Sequence, residues 1–339
     1  MEFSNIYKGY WYDRDKGGVN MNQIETAFFT IHMLCEGVLE VIAKPGKGAW
    51  SNAGIIDLGG KTLIFDTMST PSAGYELRKH AERLTGNKKM EVMNSHFHGD
   101  HMFGNQAFEG FPIYSTALTK QLIIEKNDVE DLDLEREEME AYLHGIEQRI
   151  AQEADPVLIE SLKLQMGEMT HILHDISRLK LFLPDRIFDT EHVFKGSHRE
   201  AIICCHGGGH SPSDSYLYLP QDSVLFAGDL ITRKLHVPIY DPVSYLALIK
   251  EIVDLKVKTY VPGHGDSGGR ELLDTMKAYL SMLLERAQRA HDRGIPMETF
   301  VKDFVLPPEY AEWLGIHGIQ GNLRKVYEFT SIIGTKMNP

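Results

Sequence analysis

The chain has 339 residues, of which 42% are hydrophobic and 24% charged, the balance of an ordinary soluble globular protein. A formal net charge of −13 argues against a nucleic-acid partner, which rewards a basic surface, and against docking on an anionic membrane. Cys35, Cys204 and Cys205 make no disulfide framework, the first 18 residues carry no apolar signal core, and no run reaches transmembrane length, so the expectation is a cytoplasmic protein with free thiols.

In chain order, residues 27–33 and 37–43 read as strands, followed by 53–57 and 62–66 joined by a turn at Gly59-Gly60. Together they start an antiparallel meander. Residues 72–84 predict a helix that stops at Thr85-Gly86-Asn87. Met90 to Asn94 is a short apolar strand, completing a β-α-β-like step. It leads into Ser95-His96-Phe97-His98-Gly99-Asp100-His101, where three histidines and an aspartate fall within six residues. His96 and His98 are two apart, so on extended backbone they point the same way and one metal can take both. Gly99 permits a sharp turn. Asp100 and His101 then leave in another direction, where a second metal can sit. Imidazole nitrogen and carboxylate oxygen suit zinc, and iron or manganese fits the same donors. Hydrogen bonding or capping is the alternative role for these side chains, but a metal needs several converging donors and this spacing supplies them.

Residues 111–114 read as another strand and 115–117 as a helix start. Residues 117–183 form a highly charged insertion without strand signals. Met139, Leu143, Ile146 and Ile150 make one helical stripe; Leu158, Leu162, Met166, Met169, Leu173 and Ile176 make a second. Between them, Asp155-Pro156 is an N-cap followed by proline at the first helical position. An antiparallel helical hairpin is predicted, ended by Pro184, with Glu135, Arg136, Glu137 and Glu138 facing solvent. Packing against the rest of the fold, a lid over the metals and a homodimerisation arm remain open as its role. Beyond it, 186–189, 201–205, 215–219, 223–229 and 258–261 read as strands, 245–255 as a connecting helix and 270–292 as an amphipathic helix. Residues 295–339 read as short helices divided at Pro307-Pro308. Trp313, His317 and Tyr327 either line a pocket or pack on the sheet. Cys204 and Cys205 read as buried strand residues.

Ser95 to His101 resembles the HxHxDH signature of the metallo-β-lactamase superfamily. The resemblance implies an α/β (α+β) fold, a four-layer αββα sandwich with a two-metal site on one edge, and further ligands in the order His, Asp, His. His206-Gly-Gly-Gly-His210-Ser-Pro-Ser-Asp214 resembles the family's Gly-His-Thr/Ser-Pro-Gly element. It offers His210, with His206 as a competitor that lacks the following Ser-Pro. Leu225 to Asp229 resembles the pattern of the bridging aspartate, and Val261-Pro-Gly-His264 supplies the last ligand. Asp66 is either a group beside the metals, as the resemblance suggests, or a turn or helix-capping aspartate. The resemblance covers roughly residues 25–116 and 185–268 of one domain spanning the chain, leaving 117–183 as an insertion and 270–339 as a C-terminal helical extension.

The implied first site is His96, His98, His210 and Asp229; the implied second is Asp100, His101, His264 and Asp229. Two zinc ions there would supply a metal-bridging hydroxide for hydrolysis of a small-molecule ester, thioester, lactone or lactam, with Asp100 also handling a proton. A phosphodiesterase shares these ligands, and a non-catalytic metal-bearing partner protein is the alternative from another class. The set departs from flavodiiron oxygen reductases, which carry Glu at the position of His98. It also departs from many β-lactamases, which carry Cys or Ser at that of Asp229. Ser213-Asp214 replaces the usual residues after the proline.

Overall fold

The computed structural model describes residues 23–127 and 131–337; the N-terminal segment read as lacking a signal core, and the side chain of His317, lie outside what is described. One sheet has eight strands in sequence order: β1 Gln23–Glu25, β2 Phe29–Cys35, β3 Val38–Ala43, β4 Ala53–Asp57, β5 Thr62–Phe65, β6 Met90–Met93, β7 Ile113–Thr116 and β8 Arg186–Phe188. β1 to β5 are an antiparallel meander, and β5 to β8 run parallel. The second sheet contains β9 Glu191–Lys195, β10 Glu200–Cys204, β11 Tyr216–Leu219, β12 Val224–Phe226 and β13 Thr259–Val261, in the order β13-β12-β11-β10-β9. Its strands are antiparallel except for the β12–β13 pair.

Side-chain alternation builds the layers. On β10, Ala201 and Ile203 face the other sheet and pack with Val38, Ile56, Phe65, Leu217 and Phe226. Ile202 and Cys204 point away, into a core made with helices Pro242–Val253 and Arg270–Asp292. On the far side of the first sheet, Ile31, Val41, Ile55 and Ile64 pack under Leu77, Ala81 and Leu84 of helix Pro71–Thr85. That helix is capped by Thr70, which accepts from the Ala73 amide, and closed by left-handed Gly86. The four layers of an αββα sandwich result. Burying both faces of both sheets explains why the central strands read as apolar runs instead of clean alternations.

The insertion forms helices Leu132–Gln152 and Pro156–Asp175, packed on each other, with Ile146 and Leu162 buried. Asp155 caps the second helix through the amides of Val157 and Leu158. Glu137 and Glu138 face solvent as expected, but Glu135 and Arg136 are half-buried. The chain returns from the hairpin into the first sheet, through β8, before the second sheet begins. At the C-terminus, Met297–Asp303 and Pro308–Ala311 are short, whereas Ile319–Met337 is one helix of 19 residues. Trp313 is buried against His236, Tyr279 and Tyr310, and Tyr327 donates its hydroxyl to Ile295 O; both pack rather than line the main cavity. No helix among the described residues is long and apolar enough to cross a membrane.

Candidate metal centre

Strand direction brings four loops to one edge. β10 is antiparallel to β11 and β11 to β12, so β10 and β12 run the same way, and β13 is parallel to β12. The loops after these three strands carry His210, Asp229 and His264, and the loop after β6 carries His96 to His101. Two groups of donors result. His96, His98, His210 and Asp229 offer ligand atoms within 4.8 Å of one another, as do Asp100, His101 and His264. These are the seven side chains singled out in the sequence, divided as the resemblance divides them. Asp229 reaches both: its Oδ2 is 3.3 Å from His210 Nε2, and its Oδ1 is 3.3 Å from Nε2 of both His101 and His264. It sits in a one-turn 3₁₀ segment, Gly228–Leu230, just past the end of β12. His206 stands apart and pairs with Glu251 at 2.8 Å.

The surroundings fix which nitrogen faces inward. His101 donates from Nδ1 to Asp66 Oδ2 (2.8 Å), His210 from Nδ1 to Pro238 O (2.9 Å) and His264 from Nδ1 to Trp50 O (3.0 Å). Each thereby turns Nε2 toward the cluster. Asp66 is therefore no helix cap. It lies fully buried at φ 58°, accepting also from the amide and hydroxyl of Ser95, both at 2.7 Å. Asp214 accepts from the amides of Gly209, His210 and Ser211 and so shapes the His210 loop. Ser95, Trp50 and Pro238 were not singled out in the sequence. The last two act through carbonyls, which leave no residue-type signal.

Burial drives His96 well below the ordinary histidine range, takes His98 down to about 4 and lowers His210. Burial also opposes charge on His101 and His264, but the carboxylates of Asp100 and Asp229 overcome it and raise both. Asp229 is likewise opposed by burial, yet His264, His101 and His210 hold it well below the carboxylate range.

The donors fit divalent cations. His98 Nδ1 lies 3.0 Å from both His96 Nε2 and His210 Nε2, and one proton cannot satisfy both contacts, whereas a cation accepts all three lone pairs. His101 Nε2 and Asp229 Oδ1 are buried without a hydrogen-bond partner, where ligation would satisfy them. Five of the donors, His98, Asp100, His210, Asp229 and His264, line a cavity of about 810 Å³. Its walls include Ile42, Leu164, Leu235, Val237, Ile239 and Leu314, with Arg233, Lys234 and Lys325 among the polar lining. Leu164 comes from the insertion, so that hairpin forms part of the wall.

The family model of the metallo-beta-lactamase superfamily matches residues 50–264. With the αββα layers and the His/Asp cluster, this shows that the chain belongs to the metallo-beta-lactamase superfamily. Solved structures of the same fold include a stereoselective inverting sec-alkylsulfatase from Pseudomonas sp. (16% identity, TM-score 0.65), aligned over 96% of this chain and 54% of that one. A mutant form of such an alkylsulfatase aligns at 18% identity and TM-score 0.66 over 88% of this chain and 50% of its own. A metallo-beta-lactamase from Erythrobacter litoralis aligns at 14% identity and TM-score 0.54, over 77% of this chain and 99% of its own. The chain thus spans about half the length of the alkylsulfatase structures it matches.

Proposed function

We propose that the chain hydrolyses a small ester, thioester, lactone or lactam at a binuclear centre held by His96, His98, His210 and Asp229 on one side and Asp100, His101, His264 and Asp229 on the other. The observation that carries this reading is a carboxylate, Asp229, that reaches imidazoles of two donor groups and lines a mainly apolar cavity. Zinc suits the mixed imidazole and carboxylate set, with iron or manganese as competitors. When bound, the two ions supply Lewis acidity at a carbonyl oxygen and a water acidic enough to ionise near neutral pH.

The chain's own residues do the rest. Asp100 is the partly exposed carboxylate of the second group, with Oδ2 3.4 Å from His264 Nε2. That exposure suits it to hold the proton taken from the attacking water and return it to the leaving group. The apolar walls bind the acyl or ring portion of the substrate and exclude bulk water, and the cavity's volume fits a small molecule.

The test is turnover of a chromogenic panel of carboxylic esters, thioesters, lactones, lactams and phosphodiesters by zinc-loaded protein, before and after chelation. Chelator-sensitive turnover of a carbonyl substrate supports the reading. Turnover confined to the phosphodiester, or no turnover at all, contradicts it.

A further inference from the structure

The helical insertion brings one buried carboxylate, itself no donor, to the loop that supports the second donor group. Glu168, on helix Pro156–Asp175, is only 4% exposed although it belongs to the most charged stretch of the chain. Its Oε1 accepts from the amide of Gly46 and its Oε2 from that of Gly48, both at 2.7 Å. These glycines begin the loop between β3 and β4, and both have left-handed φ, +72° and +86°. The helix comes close because neither surface carries bulk. A Cβ on Gly167 would lie 2.7 Å from Gly46 O, and one on Gly48 would lie 2.6 Å from His171 Cβ.

The far end of the same loop holds the second group. Trp50 O accepts from His264 Nδ1 (3.0 Å), and Ser51 donates from Oγ to Asp100 O (2.5 Å). Asn52 donates to the carbonyls of Pro262 and Gly265 on either side of His264, at 2.9 and 2.7 Å. No comparable chain of bonds runs from this loop to His96, His98 or His210 among the described residues.

We propose that Glu168 is a positioning residue for the second metal: the insertion, through this carboxylate, sets the loop that orients His264 and the backbone of Asp100. Its role rests on the binuclear reading given above. Partners one shell removed from a metal commonly shift affinity by about 10–100-fold, and Glu168 acts through one further bond, so a loss on the order of 10-fold in the second metal's affinity is expected. Affinity at the other group should be unchanged.

The experiment is titration of chelator-stripped full-length protein with cobalt(II), followed by visible absorption and checked by elemental analysis. The equivalent abolished by His264→Ala is assigned to the second group. Glu168→Gln keeps the shape but places a donor against a backbone N–H. Gly167→Ala pushes the same loop at Gly46 from the neighbouring position of the same helix, while favouring the helix, and serves should the first variant fail to fold. Ile146→Val trims the hairpin core without touching the loop. Selective weakening of the second equivalent in Glu168→Gln or Gly167→Ala, with Ile146→Val like wild type, supports the proposal. Equal weakening of both equivalents, or no change beyond twofold, overturns it while the binuclear reading stands. A wild-type chain that takes up one equivalent only overturns both.

Discussion

The imidazole of His101 donates from Nδ1 to Asp66 Oδ2 across 2.8 Å, and neither side chain has any exposed surface. This bond fixes which nitrogen of a candidate ligand faces the cluster, because the ring, once neutral, gives Nδ1–H to Asp66 and presents Nε2 as a lone pair. Asp66→Ala leaves Nδ1 without its acceptor. The expected result is a loss of about 10–100-fold in the affinity of the second zinc, read by competition with a chromophoric chelator. An affinity within twofold of wild type would mean that the ring is held by packing alone.

Asp229 and Asp214 lie 15 positions apart but differ in what they touch. Asp229 contacts three imidazoles of the candidate donor set across both groups, whereas Asp214, among the described residues, accepts only from backbone amides and the Ser211 hydroxyl. Asp229→Ala should reduce kcat/KM by at least about 1,000-fold, an effect well beyond the roughly 10–100-fold typical of a supporting partner, which is the range expected for Asp214→Ala. Steady-state kinetics on both variants at saturating zinc makes the comparison. Equal losses would remove Asp229 from the shared position.

Glu168 also gives a pH signature. Burial raises its carboxyl to about 7 against the pull of the Gly48 and Gly46 amides. A carboxyl whose folded value lies above its unfolded value of 4.5 binds more protons when folded between the two. Its contribution to stability is therefore fully present below about 4.5 and is lost as pH rises toward 7, by an amount on the order of 3 kcal/mol. Glu168→Gln lacks this titration. The Tm of chelator-stripped wild type should fall relative to that of the variant between pH 4.5 and 7 and run parallel above pH 8. Parallel curves throughout would show that Glu168 is not the titrating group.

The seven donors were legible because each follows a short apolar strand and carries its own spacing or neighbour pattern, as with His96-Phe97-His98 and Val261-Pro262-Gly263-His264. The hairpin was legible because Leu162 and Ile146 fall on uninterrupted helical stripes. Edge elements were not. β9, with the sequence Glu-His-Val-Phe-Lys, is an edge strand that buries only Phe194, so its alternation is too weak to read. β8 follows the hairpin and so reads as part of the second half, but it pairs with β7 of the first sheet. The 19-residue C-terminal helix read as short pieces because Gly321 and Gly334 interrupt its pattern. Glu168 resembled every other charge on a solvated helix. Only the approach of Gly46 and Gly48 turns it inward, and that is a property of the tertiary fold.

The most direct test of a binuclear centre at these residues is metal content per chain. Purified protein equilibrated with zinc and freed of excess should hold about two equivalents by elemental analysis, falling to about one in His264→Ala and again to about one in His210→Ala, each variant emptying a different group. A wild-type chain that saturates at one equivalent, unchanged by His264→Ala, would contradict the two-metal account.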